Sequence, residues 1–150
     1  MANPFGHKIR QRTFINVPPE KVFDTITSAD GWNAFFTIGL EVDPVVNGKM
    51  VWRWKDWGPD SYTHEVPGRV LIADRPKVFS FEWGSKRPTV VRFELEEKYG
   101  GTVVTCTEDG YDDSDKDRAA ILECASGWGE AITLLKFYLE HGIAYTPPKK

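Results

Sequence analysis

The chain has 150 residues, 41% of them hydrophobic and 27% charged, and a formal net charge of −3. That length and balance fit one globular domain, 1–150, with room for a sizeable core. No apolar run approaches the ~18 residues that a membrane span needs, and the scattered Lys and Arg argue against nucleic acid as the main partner.

The N-terminal Met1-Ala2-Asn3-Pro4-Phe5-Gly6 shows no basic region followed by an apolar stretch. No secretory signal is read there, and a cytoplasmic location is expected. Lys8 to Val17 reads as a first strand with Ile9, Ile15 and Val17 apolar. Pro18-Pro19-Glu20 opens a helix, because a proline in the first turn lacks only an N–H that would be unpaired there. Val22, Phe23 and Ile26 form its apolar face. Ser28 can cap a second short helix running through Trp32 to Phe36, and Asp30 suits the dipole at its start.

Asn47-Gly48 signals a tight turn. Beyond it Met50, Trp52 and Trp54 alternate with Val51, Arg53 and Lys55, the period-two pattern of a strand with one buried face. Trp57-Gly58-Pro59-Asp60 breaks that run. Tyr62 to Ala73 is a further strand, where Pro67 marks an edge or a bulge. After the Asp74-Arg75-Pro76 turn, Phe79, Phe81 and Trp83 share one face. Past Arg87-Pro88, Val91, Phe93 and Leu95 oppose Val90, Arg92 and Glu94. Gly100-Gly101 makes the last hairpin, and Val104, Cys106 and Glu108 share a face after it.

Gly110 to Asp117 is an acidic loop in which Ser114 or Asp113 can cap a long helix. From about Ala119 to His141, Ile121, Ala125, Trp128, Ile132, Leu135 and Leu139 recur at helical spacing. Gly142 fits a glycine stop, and Pro147-Pro148-Lys149-Lys150 is a tail. A helix with such a stripe must bury it, and the only partner offered is a sheet. Consecutive hairpins make that sheet antiparallel with the helices on one side, an α+β layering.

Several stretches in this order resemble the START-like helix-grip (SRPBCC) superfamily. Within it they resemble the activator of heat-shock protein 90 ATPase homologue (AHSA) family, in its small bacterial single-domain form. They are Val17-Pro18-Pro19-Glu20-Lys21-Val22-Phe23, Asn47-Gly48-Lys49-Met50, Gly68-Arg69-Val70 with Pro76 to Trp83, Gly101 to Thr105 leading to Glu108-Asp109-Gly110-Tyr111, and Gly127-Trp128 followed by Leu135 to Glu140. The resemblance implies a seven-stranded antiparallel sheet curved around the C-terminal helix, with two short helices after the first strand and a cavity between sheet and helix. Members of the wider superfamily bind sterols, lipids and polyketides, and some are cyclases or aromatases. The co-chaperone activity belongs to a longer eukaryotic protein with an added N-terminal domain, for which 150 residues leave no room.

Six Trp, nine Phe and five Tyr are many for one small core, because every buried indole N–H needs a partner. Trp52, Trp54, Phe81, Trp83 and Phe93 share the inward face and meet Trp128. Either they fill the core or they line an apolar pocket. In the pocket reading Trp32, Phe36, Val104, Cys106, Glu108 and Ile132 complete the ligand-binding set. Glu108 has the parity of Val104 and Cys106, which points it inward as a polar anchor or general base; the alternative is a strand-end residue already in solvent. His64 reads as a surface histidine.

No cofactor and no metal site is expected. Registered from Asp113, the acidic loop puts Arg118 where a calcium loop needs glycine and Cys124 where it needs glutamate. His7, His64 and His141 have no ligand spacing with each other or with the cysteines. Cys106 and Cys124 read as reduced, buried thiols. Three functions follow as expectations: a protein that binds a hydrophobic small molecule, a cyclase- or hydratase-type enzyme using Glu108 and His64, and a chaperone-interacting module.

Overall fold

The computed structural model describes residues 8–145. The N-terminal stretch read for a signal, His7 and the Pro147–Lys150 tail lie outside the described residues. The elements run β1 (Ile9–Ile15), α1 (Pro19–Ile26), α2 (Ala29–Phe35), β2 (Glu41–Val42), β3 (Lys49–Trp57), β4 (Tyr62–Asp74), β5 (Val78–Trp83), β6 (Thr89–Lys98), β7 (Gly101–Asp109) and α3 (Asp115–His141). The strands form one seven-stranded antiparallel sheet in the order β1-β7-β6-β5-β4-β3-β2. It curves around α3 as an open sheet, and the fold class is α+β as expected. Strand β2 escapes the sequence reading because two residues carry no periodicity.

Local chemistry sets the boundaries. The Ser28 side chain accepts from Gly31 N at 3.1 Å and caps α2. Ser114 accepts from Asp117 N at 3.1 Å and starts α3 four residues earlier than its apolar stripe does. Gly142, with φ +68°, ends α3 in the left-handed region, its N–H donating to Tyr138 O at 2.9 Å. Pro67 stands where β4 begins to overhang β5: the β5 ladder ends at the Trp83–Gly68 pair, and Gly84 N then donates to Pro67 O at 3.0 Å. The missing proline N–H therefore falls at a local edge, which is where the ladder tolerates it. The register shifts of β4 lie elsewhere, between Val70 and Ile72 against β5 and opposite Trp54–Trp57 of β3.

Strand parity builds the core. Met50, Trp52 and Trp54 of β3, Phe79 and Phe81 of β5, Val91, Phe93 and Leu95 of β6, and Val104 and Cys106 of β7 are all buried. Helix α3 crosses edge strand β1 and is tied to it along its length. Gln11 Nε2 donates to Ala125 O at 2.8 Å, Lys136 Nζ to Phe14 O at 2.7 Å, and Asn16 N to Glu140 Oε2 at 2.9 Å. Covering β1 in this way protects one edge of the sheet from pairing with another chain. The burial of α3 is uneven. Trp128, Ala131, Ile132, Leu135 and Leu139 are buried, whereas Ile121 and Ala125 of the expected stripe are only half-buried.

Two glycines test this packing in opposite directions. A Cβ at Gly31 would lie 2.1 Å from Thr25 O, whereas one at Gly127, inside α3, meets nothing within 4 Å. Gly127→Ala should therefore raise stability by about 0.5–1 kcal/mol, the helix-propensity gain. Gly31→Ala should lower it by at least the ~1–3 kcal/mol typical of overpacking. Urea denaturation of both variants reads the two signs.

Candidate functional site

Register brings four elements together at one end of the sheet. The β5–β6 pairing sets Trp83 beside Thr89, and the β6–β7 pairing sets Val91 beside Glu108. Trp128 arrives from the middle of α3. Glu108 is 1% exposed, so the inward parity holds and the solvent-facing alternative is overturned: its strand continues under α3 before turning out at Asp109. Trp128 Nε1 donates to Glu108 Oε1 at 2.9 Å, while Trp83 Nε1 at 2.9 Å and Thr89 Oγ1 at 2.5 Å donate to Oε2. The Tyr111 hydroxyl, with one proton to give, faces both the Glu108 carboxylate and the Cys124 thiol.

A buried carboxylate costs several kcal/mol unless its oxygens are satisfied. Here three neutral donors satisfy them, and hydrogen bonds to a charged group contribute about 1.5–3 kcal/mol each. Among the described residues no Lys, Arg or His pairs with Glu108. The negative charge is thus dispersed over hydrogen bonds and left without a counter-cation. Its neighbours feel it. Burial first and then the Glu108 charge push the Tyr111 hydroxyl far above its ordinary range. The same two causes, in the same order, raise the Cys106 thiol well above its usual value. The Cys124 thiol is raised chiefly by burial, against the opposing hydrogen bond from Tyr111. All of this keeps both thiols protonated near neutral pH.

Around this anchor the expected aromatic set is assembled ring against ring. Trp52 is at its centre. It stacks on Trp54 with centroids 5.9 Å apart and meets Trp32 at 5.0 Å, Phe81 at 5.1 Å, Trp83 at 5.3 Å and Trp128 at 6.4 Å. Phe93 joins through Trp32 and Trp128, and Phe36 through Trp32, Trp54 and Trp128. Val104, Cys106 and Ile132 are buried in the same core. The indole donors differ in one respect. Trp32 Nε1 donates to Ile26 O at 2.7 Å, and Trp83 and Trp128 donate to Glu108. Trp52 Nε1, fully buried, has no hydrogen-bond partner.

A cleft of about 110 Å³ opens beside the cluster, lined by Asn33, Phe35, Phe36, Thr37, Ile38, Trp54, Lys55, Trp57 and Tyr145. Phe36 and Trp54 belong both to this cleft and to the aromatic cluster. Two larger clefts lie elsewhere and carry charged rims. One runs along α1 past Glu20, Lys21, Asp24 and Asp30, the other past Lys77, Glu94, Glu96 and Glu97.

The acidic loop closes the Glu108 end. Arg87, from the β5–β6 connection, pairs with Asp112 and, at 2.5 Å, with Asp117 Oδ2, which also accepts from Asp112 N at 2.7 Å. Hydrogen bonds from Ser114 first, and the Arg87 guanidinium after them, hold the Asp112 carboxyl well below the usual range. Arg118 pairs with Asp113 at 2.5 Å. His64 sits exposed on the β4 overhang, its ring 4.4 Å from that of Tyr62. The sequence reading missed Thr89, Tyr111 and Cys124. Thr89 has the inward parity of Val91 and Phe93 and was findable by it. Tyr111 and Cys124 come from a loop and a half-buried helix turn, where no period points.

The sheet order, the two small helices and the long terminal helix gripped over an aromatic interior define a helix-grip protein. The sequence model described as Activator of Hsp90 ATPase homolog 1-like protein matches residues 16–140, and the chain belongs to that family. Among solved structures it is similar to protein SSP2350 from Staphylococcus saprophyticus, at 25% identity over 95% of this chain and 98% of that one, with a TM-score of 0.75. It is also similar to the Aha1 dimer from Colwellia psychrerythraea, at 22% identity over 91% and 98%, TM-score 0.76. DynU16, encoded in the dynemicin biosynthetic locus, matches at 16% identity over 92% of this chain and 49% of that one, TM-score 0.77. The last two show the fold alone. Comparison with curated proteins gives no match. Among the described residues no helix is long and apolar enough to cross a membrane.

The hydrogen-bond pattern sets an order of sensitivities. Trp128→Phe and Trp52→Phe remove the same ring volume from the same cluster. Only the first strips a donor from Glu108. Trp128→Phe should therefore cost about 1.5–3 kcal/mol more than Trp52→Phe, as read by the urea midpoint at constant m-value.

Proposed function

We propose that this chain is a cytosolic small-molecule-binding protein that takes an apolar or aromatic ligand between the sheet and α3. The observation that carries this reading is Trp52. Its indole N–H is buried at the centre of an aromatic cluster and lacks an acceptor, although almost every buried donor in a folded protein has one. Fold and family agree, since helix-grip proteins of this kind commonly bind ligands.

The route in is the cleft at Phe36, Trp54 and Trp57. Its ~110 Å³ is far below the roughly 300–1,000 Å³ of sites for drug-sized ligands. It approaches the roughly 150 Å³ of an apolar cavity that takes benzene. The cleft as it stands accepts one ring or a short chain, and a ligand that reaches Trp52 needs Phe36 or Trp54 to rotate. The ligand walls are those expected from the sequence: Trp32, Phe36, Trp52, Trp54, Phe81, Trp83, Phe93 and Trp128, with Val104, Cys106 and Ile132 behind them. Glu108 serves here as the anchor that fixes Trp83 and Trp128. Its oxygens already accept from three donors, which makes it a poor general base, so the binding reading ranks above the cyclase or hydratase reading.

Native mass spectrometry of the protein purified from its own cells should show a retained small molecule. Backbone and indole resonances of the ¹⁵N-labelled, stripped protein should then shift at Phe36, Trp52 and Trp54 when that molecule is returned. Shifts confined to the charged clefts along α1 or around Lys77 would contradict the proposed site. A saturating ligand at ~100 times its dissociation constant should add about 2.7 kcal/mol of stability.

A further inference from the structure

We propose that the ligand of this aromatic site is an uncharged molecule with a carbonyl-type oxygen that accepts from Trp52 Nε1, and that the Glu108 charge excludes carboxylates. This rests on the binding reading above and names the chemistry of its ligand.

Two observations carry it. The first is the solitary donor. Trp32, Trp83 and Trp128 have spent their indole N–H groups on Ile26 O and on Glu108. Trp52 Nε1 alone among these four is free to bind a guest. The rings around it, Trp32, Trp54, Phe81 and Trp83, offer only π faces, which accept an N–H far more weakly than an oxygen does. A guest oxygen supplies what the fold withholds, and a buried donor that gains an acceptor recovers the desolvation cost of having none.

The second observation is the sign of the interior. Glu108 is buried beside Trp83 and Trp128, both in ring contact with Trp52, and its bonds come from neutral donors. Among the described residues no cation pairs with it. A second carboxylate in this low-dielectric region would meet a like charge with no Lys, Arg or His to receive it, so both desolvation and repulsion oppose it. Aromatic faces are also the negative side of a quadrupole. A neutral oxygen on a flat molecule meets none of these costs. Trp54 both lines the ~110 Å³ cleft and stacks on Trp52; Trp52 itself does not line the cleft, so a single aromatic ring entering there reaches the donor by turning the Trp54 ring aside.

Three probes of one ring each separate the terms: acetophenone, ethylbenzene and benzoate, titrated into ¹⁵N-labelled full-length protein. Acetophenone should bind about 5–10-fold tighter than ethylbenzene, the worth of one neutral hydrogen bond. The Trp52 indole resonance, assigned by its loss in Trp52→Phe, should move downfield with the ketone and not with the hydrocarbon. Benzoate should bind at least tenfold more weakly than acetophenone. In Trp52→Phe the preference for ketone over hydrocarbon should vanish while ethylbenzene still binds. Equal affinity of ketone and hydrocarbon in the wild-type protein would overturn the donor assignment even if the variant fails to fold. Benzoate binding as tightly as acetophenone would overturn the exclusion of anions. If none of the three shifts any resonance of the aromatic cluster, the binding site itself is wrong, and that result is distinct from the other two.

Discussion

A carboxylate buried without a counter-cation fixes how this molecule is put together. Glu108 can lie inside only because Trp83, Thr89 and Trp128 reach it from β5, β6 and α3. Each donor belongs to a different piece of chain, so satisfying the charge also specifies how those pieces meet. Apolar packing tolerates many arrangements of similar volume. A buried charge with directional partners tolerates few, because any partner lost leaves an unmet acceptor.

The aromatic interior follows from that constraint. With Trp83 and Trp128 held by their N–H groups, their ring planes are set, and Trp52, Phe81 and Phe93 pack against oriented faces. Trp32 is held separately by Ile26 O. Trp52, like Phe81 and Phe93, is placed by packing, and among the described residues its indole is the fully buried one without an acceptor. The same arrangement that gives the core its shape leaves one strong donor unused at its centre, and this is the physical basis of the binding proposal. The Arg87 pairs with Asp112 and Asp117 hold the loops over the Glu108 end, and the binding proposal takes the Phe36–Trp54–Trp57 cleft as its approach.

Most of the fold was legible from period-two alternation, since Met50-Trp52-Trp54, Phe79-Phe81-Trp83 and Val104-Cys106-Glu108 each point one way, and the structure buries all of them but Trp83, which is half-buried at the strand end. Parity also pointed Glu108 inward but left open a strand-end residue in solvent, and only the burial decides between the two. It could not give the partners, because hydrogen bonds between β5, β7 and α3 depend on register and on the rotation of the helix, and neither is written in local spacing. The half-burial of Ile121 and Ala125 has the same cause: a regular stripe does not say where along its length the sheet curves away. The two-residue β2 and the Tyr111 contacts lie in segments without any period. Pro67 shows the opposite case, in which one residue's missing N–H located the end of a ladder.

The central claim is that Glu108 organises the site through its indole donors. A double-mutant cycle between Glu108→Gln and Trp128→Phe, followed by chemical denaturation, tests it most directly. The account predicts a coupling energy of about 1–3 kcal/mol. Additive effects, agreeing within ~0.5 kcal/mol, would show that the carboxylate and the indole act independently and would contradict it.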